Sequence, residues 1–119
     1  MMSRKGLSEE FVRVEVEASN LILTANLLKQ SNRPGEAAEK FARAARLEEQ
    51  LFHELETKKL LDKYLSHFFS AASCWAQAGN IHQALSMCNK LLERPDLPSR
   101  FRQMVGNYTN LLPAVTSGL

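Results

Sequence analysis

Apolar residues recur three and four positions apart along most of this chain, the spacing of one buried helix face rather than the alternation of a strand. The first run is Phe11, Val14, Ala18, Leu21, Ala25 and Leu28. It follows Ser8, whose hydroxyl can accept from an orphan N–H, and Glu9 and Glu10 sit where the helix dipole is positive. A helix to about Gln30 is predicted. Ser31-Asn32-Arg33-Pro34-Gly35 reads as a turn, with Pro34 suited to the first turn of the next helix. Helix two carries Ala37, Ala38, Phe41, Ala44, Ala45, Leu51, Phe52 and Leu55, with Glu36/Lys40 and Glu39/Arg43 as opposite charges on its solvated side. A turn is expected near Glu56 to Leu60, where that apolar face ends. Helix three then carries Leu61, Tyr64, Leu65, Phe68, Phe69, Ala72, Trp75 and Ala76 up to Gly79-Asn80, and helix four carries Ile81, Ala84, Leu85, Cys88, Leu91 and Leu92 up to Pro95. A last amphipathic helix with Phe101, Met104, Val105, Tyr108, Leu111 and Leu112 is expected to stop at Pro113. The fold class is therefore all-α, in antiparallel helical hairpins with about five helices. Residues 8–112 form one domain between a frayed or disordered 1–7 and a frayed 113–119.

Two surfaces exceed what a simple bundle needs. Val12, Val16, Leu23 and Leu27 form a second apolar line on helix one, roughly 120–180° round the cylinder from the first at about 100° per residue. Such a line is covered within the monomer, by a larger partner, or by a second copy of the chain. On helix three the polar side is Lys63, Ser66, Ser70, Ser73 and Gln77, rich in serine and poor in charge, so partial cover is expected there too.

Composition narrows the classes. The hydrophobic fraction is 45%, the charged fraction 24% and the net charge +2, with acids and bases interspersed, so there is no basic stripe to neutralise a nucleic-acid backbone. No apolar segment long enough for a signal peptide or membrane span appears; Cys74 and Cys88 fall on facing helices of one hairpin and could pair, but two thiols in a helical chain point rather to reduced, buried ones. A cytoplasmic protein is expected.

The chain also repeats itself. Leu21-x3-Ala25-x2-Leu28, a turn, and Ala37-x3-Phe41-x2-Ala44 have the same internal spacing as Phe68-x3-Ala72-x2-Trp75, a turn, and Ala84-x3-Cys88-x2-Leu91. With Gly79-Asn80-Ile81 at the second turn and Pro95 closing the unit, the pattern resembles the tetratricopeptide repeat. Cys88 and Leu91 stand where that family has an aromatic and a small residue, and Asn32-Arg33-Pro34 stands where it has a glycine turn. The two copies lie 47 residues apart, from Ala37 to Ala84, against the family's period of about 34, so the resemblance implies two extended TPR-like repeats plus a C-terminal capping helix. In that family the first helix of each pair lines a concave groove. Carried over, the groove is Ser19, Ile22, Leu23 and Asn26 with Ser66, Phe69, Ser70 and Ser73, suited to an extended or helical peptide. The family's carboxylate clamp is excluded, because Ile22 and Ser70 stand where it needs Lys and Asn. A weaker resemblance is to the microtubule-interacting-and-trafficking domain, three long helices over Ala18 to Trp75, which leaves Gly79 to Leu112 unexplained.

Little catalytic chemistry is encoded. His53, His67 and His82 are too dispersed for a helical metal pair, there is no C-x2-C motif, and no phosphate loop or nucleophile elbow is present, so neither metal nor cofactor is expected. The best reactive candidate is Cys74, seven residues from His67 on one helix edge; the competing reading is a buried thiol beside a surface histidine. Lys58, Lys59 and Lys63, and Arg94, Arg100 and Arg102, are small basic clusters. The expectation is a non-enzymatic interaction module or assembly subunit, binding a peptide, a partner protein or its own copy through Val12, Val16, Ser19, Ile22, Leu23, Asn26, Leu27, Ser66, Phe69, Ser70 and Ser73. Its alternatives are a binder of RNA or an acidic partner, and a trafficking-type three-helix peptide module.

Overall fold

The computed structural model describes residues 8–57 and 61–117. It is all-α among the described residues, with helices α1 (Glu9–Gln30), α2 (Pro34–Thr57), α3 (Leu61–Gln77), α4 (Ile81–Leu92) and α5 (Ser99–Ser117), each packed on the next in sequence. Ser8 caps α1 as its position suggests, its Oγ accepting from the Phe11 N–H at 3.0 Å. The expected turn between α2 and α3 falls at 58–60, outside the described residues.

The repeat in sequence is a repeat in structure. α1 ends with Asn32 in the left-handed conformation (φ 64°), the Arg33 N–H donating to the Leu28 carbonyl at 2.9 Å and the Asn32 N–H to Lys29 at 3.1 Å. α3 ends the same way: Gly79 has φ 92°, and Asn80 and Gly79 donate to Trp75 at 2.8 Å and Ala76 at 3.0 Å. Both are Schellman closures, and Asn32 does in the first hairpin what Gly79 does in the second. Asn80 then caps α4 by accepting from the Gln83 N–H at 3.1 Å. The alanines Ala25, Ala37, Ala44, Ala72 and Ala84 are all buried, which lets the helices of each hairpin approach closely around Phe41 in the first and Cys88 in the second.

The molecule is a slab of 44 × 33 × 18 Å, about two helices thick. α1, α3 and α5 lie along one side: α1 is bonded to α3 through Glu15 and Lys29, and Phe69 of α3 meets Tyr108 of α5 edge to face at 5.0 Å. α2 and α4 lie on the other, joined by Gln83 to Glu49. The larger core centres on Phe11, Leu51, Phe52, Leu55, Leu65 and Leu91, and a second cluster around Ala25, Phe41, Ala44 and Cys74 fills the first hairpin.

Several expectations are corrected. α5 runs through Pro113 to Ser117, so 113–117 is helical; a proline this close to the end removes one backbone donor and the helix continues past it. Residues 1–7 and 118–119 lie outside the described residues. Met104 and Leu111 of the expected α5 core face are exposed, because α4 and α3 cover only the side carrying Val105, Tyr108 and Leu112. Glu36 pairs with Arg33, and Lys40 with Glu39 at 3.5 Å, instead of the four-apart pairing. No described helix is long and apolar enough to cross a membrane.

Candidate functional site: a charge-free groove between α1 and α3

α1 and α3 are tied at both ends. At one end the Lys63 Nζ lies 3.0 Å and the His67 Nε2 2.9 Å from Glu15 Oε2; at the other the Lys29 Nζ donates to Gln77 Oε1 at 2.9 Å. Between Glu15 and Lys29 the helices leave a cleft of about 300 Å³, and it is lined by Ile22 and Asn26 of α1 and Ser66, Phe69, Ser70 and Ser73 of α3. Phe41 and Cys74 lie at its floor, both buried, and Gln77 closes the lining. The helical rise places its two ends roughly 21 Å apart. Among the described residues, no Lys, Arg, Asp or Glu lines this cleft.

Six residues expected in the groove are thus brought together, and the serine-rich side of α3 is partly covered as its low charge suggested. Ser19 is exposed and is not among the lining residues, although it shares a helix face with Ile22 and Asn26. Leu23 does not join the groove either. With Val16 and Leu27 it lies on the far side of α1 from the core, at 60%, 54% and 54% exposure, while Val12 is half-buried. The expected site is therefore two surfaces: a groove toward α3, and an apolar line facing away from it.

Beneath the groove is a polar network that the apolar periodicity does not reveal. Glu48 of α2, only 5% exposed, accepts from Ser70 Oγ at 2.7 Å and is hydrogen-bonded to His67 Nδ1. His67 meets a carboxylate at each ring nitrogen, which only the doubly protonated imidazolium can satisfy as donor. Burial by itself would lower the His67 pKa; the hydrogen bonds and charges of Glu48 and Glu15 outweigh it and raise it. For Glu15 burial acts upward, and the bonds and charges of His67 and Lys63 bring it below its ordinary value. His67 is accordingly an internal strut and not a surface histidine. The signal was register: Glu48 falls four after Ala44 and three before Leu51, on the buried stripe of α2.

Cys74 sits at the groove floor beside Ser70, not in contact with an activating imidazole. Burial and the Glu48 charge push its thiol up to about 12, so it stays protonated near neutral pH. Cys74 and Cys88 are both free and buried. Among the described residues no group of three His, Cys, Asp or Glu is placed to hold a metal ion. The arginines of the second basic cluster have structural work. Arg94 forks onto Asp96 at 2.9–3.0 Å and lies over the Tyr64 ring, and Arg102 donates to the Leu92 carbonyl at the end of α4 and to the Arg94 carbonyl just past it. Arg100 lies over the Phe101 ring, and Lys58 and Lys59 are outside the described residues.

No family model, curated protein or solved structure matches this chain.

Proposed function

We propose that this chain is a non-enzymatic protein-interaction module of TPR-like helical hairpins whose α1–α3 groove takes an uncharged segment of a partner protein. The observation that carries the reading is the charge-free cleft held open between two tied ends, with hydroxyl and amide groups on its walls and an aromatic in its lining. A peptide lying there exchanges water for Ser66, Ser73 and Asn26 and places an apolar side chain against Phe69. About six extended residues, at roughly 3.3 Å each, fit the length between the ties. Adaptor or scaffold work in the cytoplasm is consistent with this reading, and the pair of buried free thiols agrees with a reducing compartment.

The reading as an RNA or acidic-partner binder draws less support, because Arg94, Arg102 and Lys63 are engaged within the fold. The trafficking-type three-helix reading leaves α4 and α5, which pack on α3, without a part to play. A peptide-display selection against the full chain tests the proposal. Enrichment of short, uncharged sequences with one or two large apolar side chains is expected. No enrichment, or enrichment of strongly acidic or basic sequences, would overturn it.

A further inference from the structure

We propose that the outer face of α1 pairs antiparallel with the same face of a second copy of this chain. The face is the line opposite the core, where Val16, Leu23 and Leu27 are each more than half exposed (54%, 60% and 54%). Together with Arg13, Asn20 and Gln30 they follow the alternating three-four spacing of a coiled-coil seam over a helix of 22 residues, roughly 33 Å long. α1 is also the outermost helix of the stack, the end that a hairpin array presents to its next layer.

Charge and register choose the occupant and its direction. About a two-fold axis between residues 21 and 22, a single register sets Val16 against Leu27 of the second copy, Leu23 against its Asn20, and Arg13 against its Gln30. The flanking positions then meet as Glu17 with Thr24 and Ser19 with Asn26, so no like charges oppose. The acidic first turn, Glu9 and Glu10, comes beside the end of the copy that carries Lys29 and Arg33. A parallel pair would instead set Arg13 on Arg13 and the acidic turns on each other. A face whose Val16, Leu23 and Leu27 each meet an uncharged partner in one antiparallel register, with acids toward one end and bases toward the other, is complementary to itself, which is what a closed two-fold interface requires. The groove borders this face and shares Asn26 with it, but its Ser66, Phe69 and Ser73 lie on α3, so substitutions there and at Leu23 let the two surfaces fail separately.

Light scattering on the full chain over a dilution series tests this. The expected result is twice the 13.4 kDa chain mass, falling to one on dilution, with Leu23→Glu monomeric and of unchanged helical circular dichroism. Mixing chains carrying Val16→Cys with chains carrying Leu27→Cys and oxidising should give a cross-linked dimer that neither gives alone. This second experiment keeps the native Leu23, so it decides the matter if Leu23→Glu proves unfolded. A wild-type monomer at every concentration would overturn the proposal. So would a dimer indifferent to Leu23→Glu in a folded variant, as pairing through Met104 and Leu111 would give, or cross-linking by Val16→Cys alone.

Discussion

The Nε2 of His67 lies 2.9 Å from Oε2 of Glu15, which ties the outermost helix to α3 through a charge that the imidazole carries only when both its nitrogens are protonated. The same ring bonds Glu48 through Nδ1, so three helices share one proton-dependent joint at the end of the groove.

Stability should therefore follow pH in a defined way. His67 is raised above its ordinary 6.5, so its contribution is complete below that value and lost as pH rises through the folded value. Glu15 is lowered from 4.5, so its contribution is complete above that value and lost as pH falls through the folded one. Urea midpoints are expected to be highest between these ordinary values of 4.5 and 6.5 and to decline on the alkaline side. His67→Gln should flatten that alkaline decline. An unchanged slope in the variant would show that the joint is not the titrating element.

Glu48 should be costly to remove alone and cheap to remove with its partner. Glu48→Leu takes the carboxylate away from the half-buried His67 Nδ1 and Ser70 Oγ and is expected to cost about 3 kcal/mol in chemical denaturation. Combining it with His67→Leu should recover most of that loss. Additive single effects would mean the two are not coupled.

The two turns make opposite predictions at equivalent positions. Gly79→Ala puts a side chain at φ 92°, with nothing within 4 Å to clash, so the backbone penalty of about 1–2 kcal/mol should appear undiluted in thermal denaturation. Asn32→Gly, at φ 64°, should be neutral or stabilise by up to about 1 kcal/mol. A destabilised Asn32→Gly would indicate that the Asn32 side chain itself is needed.

Most of the architecture was legible because it rests on spacing. Ala25, Ala37, Ala44 and Phe41 recur as Ala72, Ala84, Leu91 and Cys88, and every one of them is buried. The serine face of α3 foretold a partly covered wall, since solvated helices carry more charge. Sequence pattern failed where burial is decided by a neighbour's position. Leu23 and Ile22 are adjacent in sequence, yet one is exposed and the other lines the groove. Met104 shares the apolar spacing of Val105 but projects past the edge of α4 and α3. The Glu15–His67–Glu48 joint was hidden because apolar spacing carries no signal for polar residues that stand beside or within a buried stripe.

Thiol chemistry offers a direct check on the non-enzymatic reading. With Cys74 pushed up to about 12 and both thiols buried, a disulfide reagent at neutral pH should react far more slowly with the native chain than with the unfolded one. A thiol reacting faster than free cysteine would reopen the search for a nucleophile.

The groove itself is best tested by calorimetric titration of a selected peptide into the wild-type chain and into Ser66→Arg and Asn26→Arg. These substitutions place a cation in a cleft whose lining carries none. Each is expected to weaken binding at least tenfold, about 1.4 kcal/mol, while the melting temperature stays within a few degrees. Unchanged affinity in both folded variants would contradict it and move the binding surface elsewhere on the molecule.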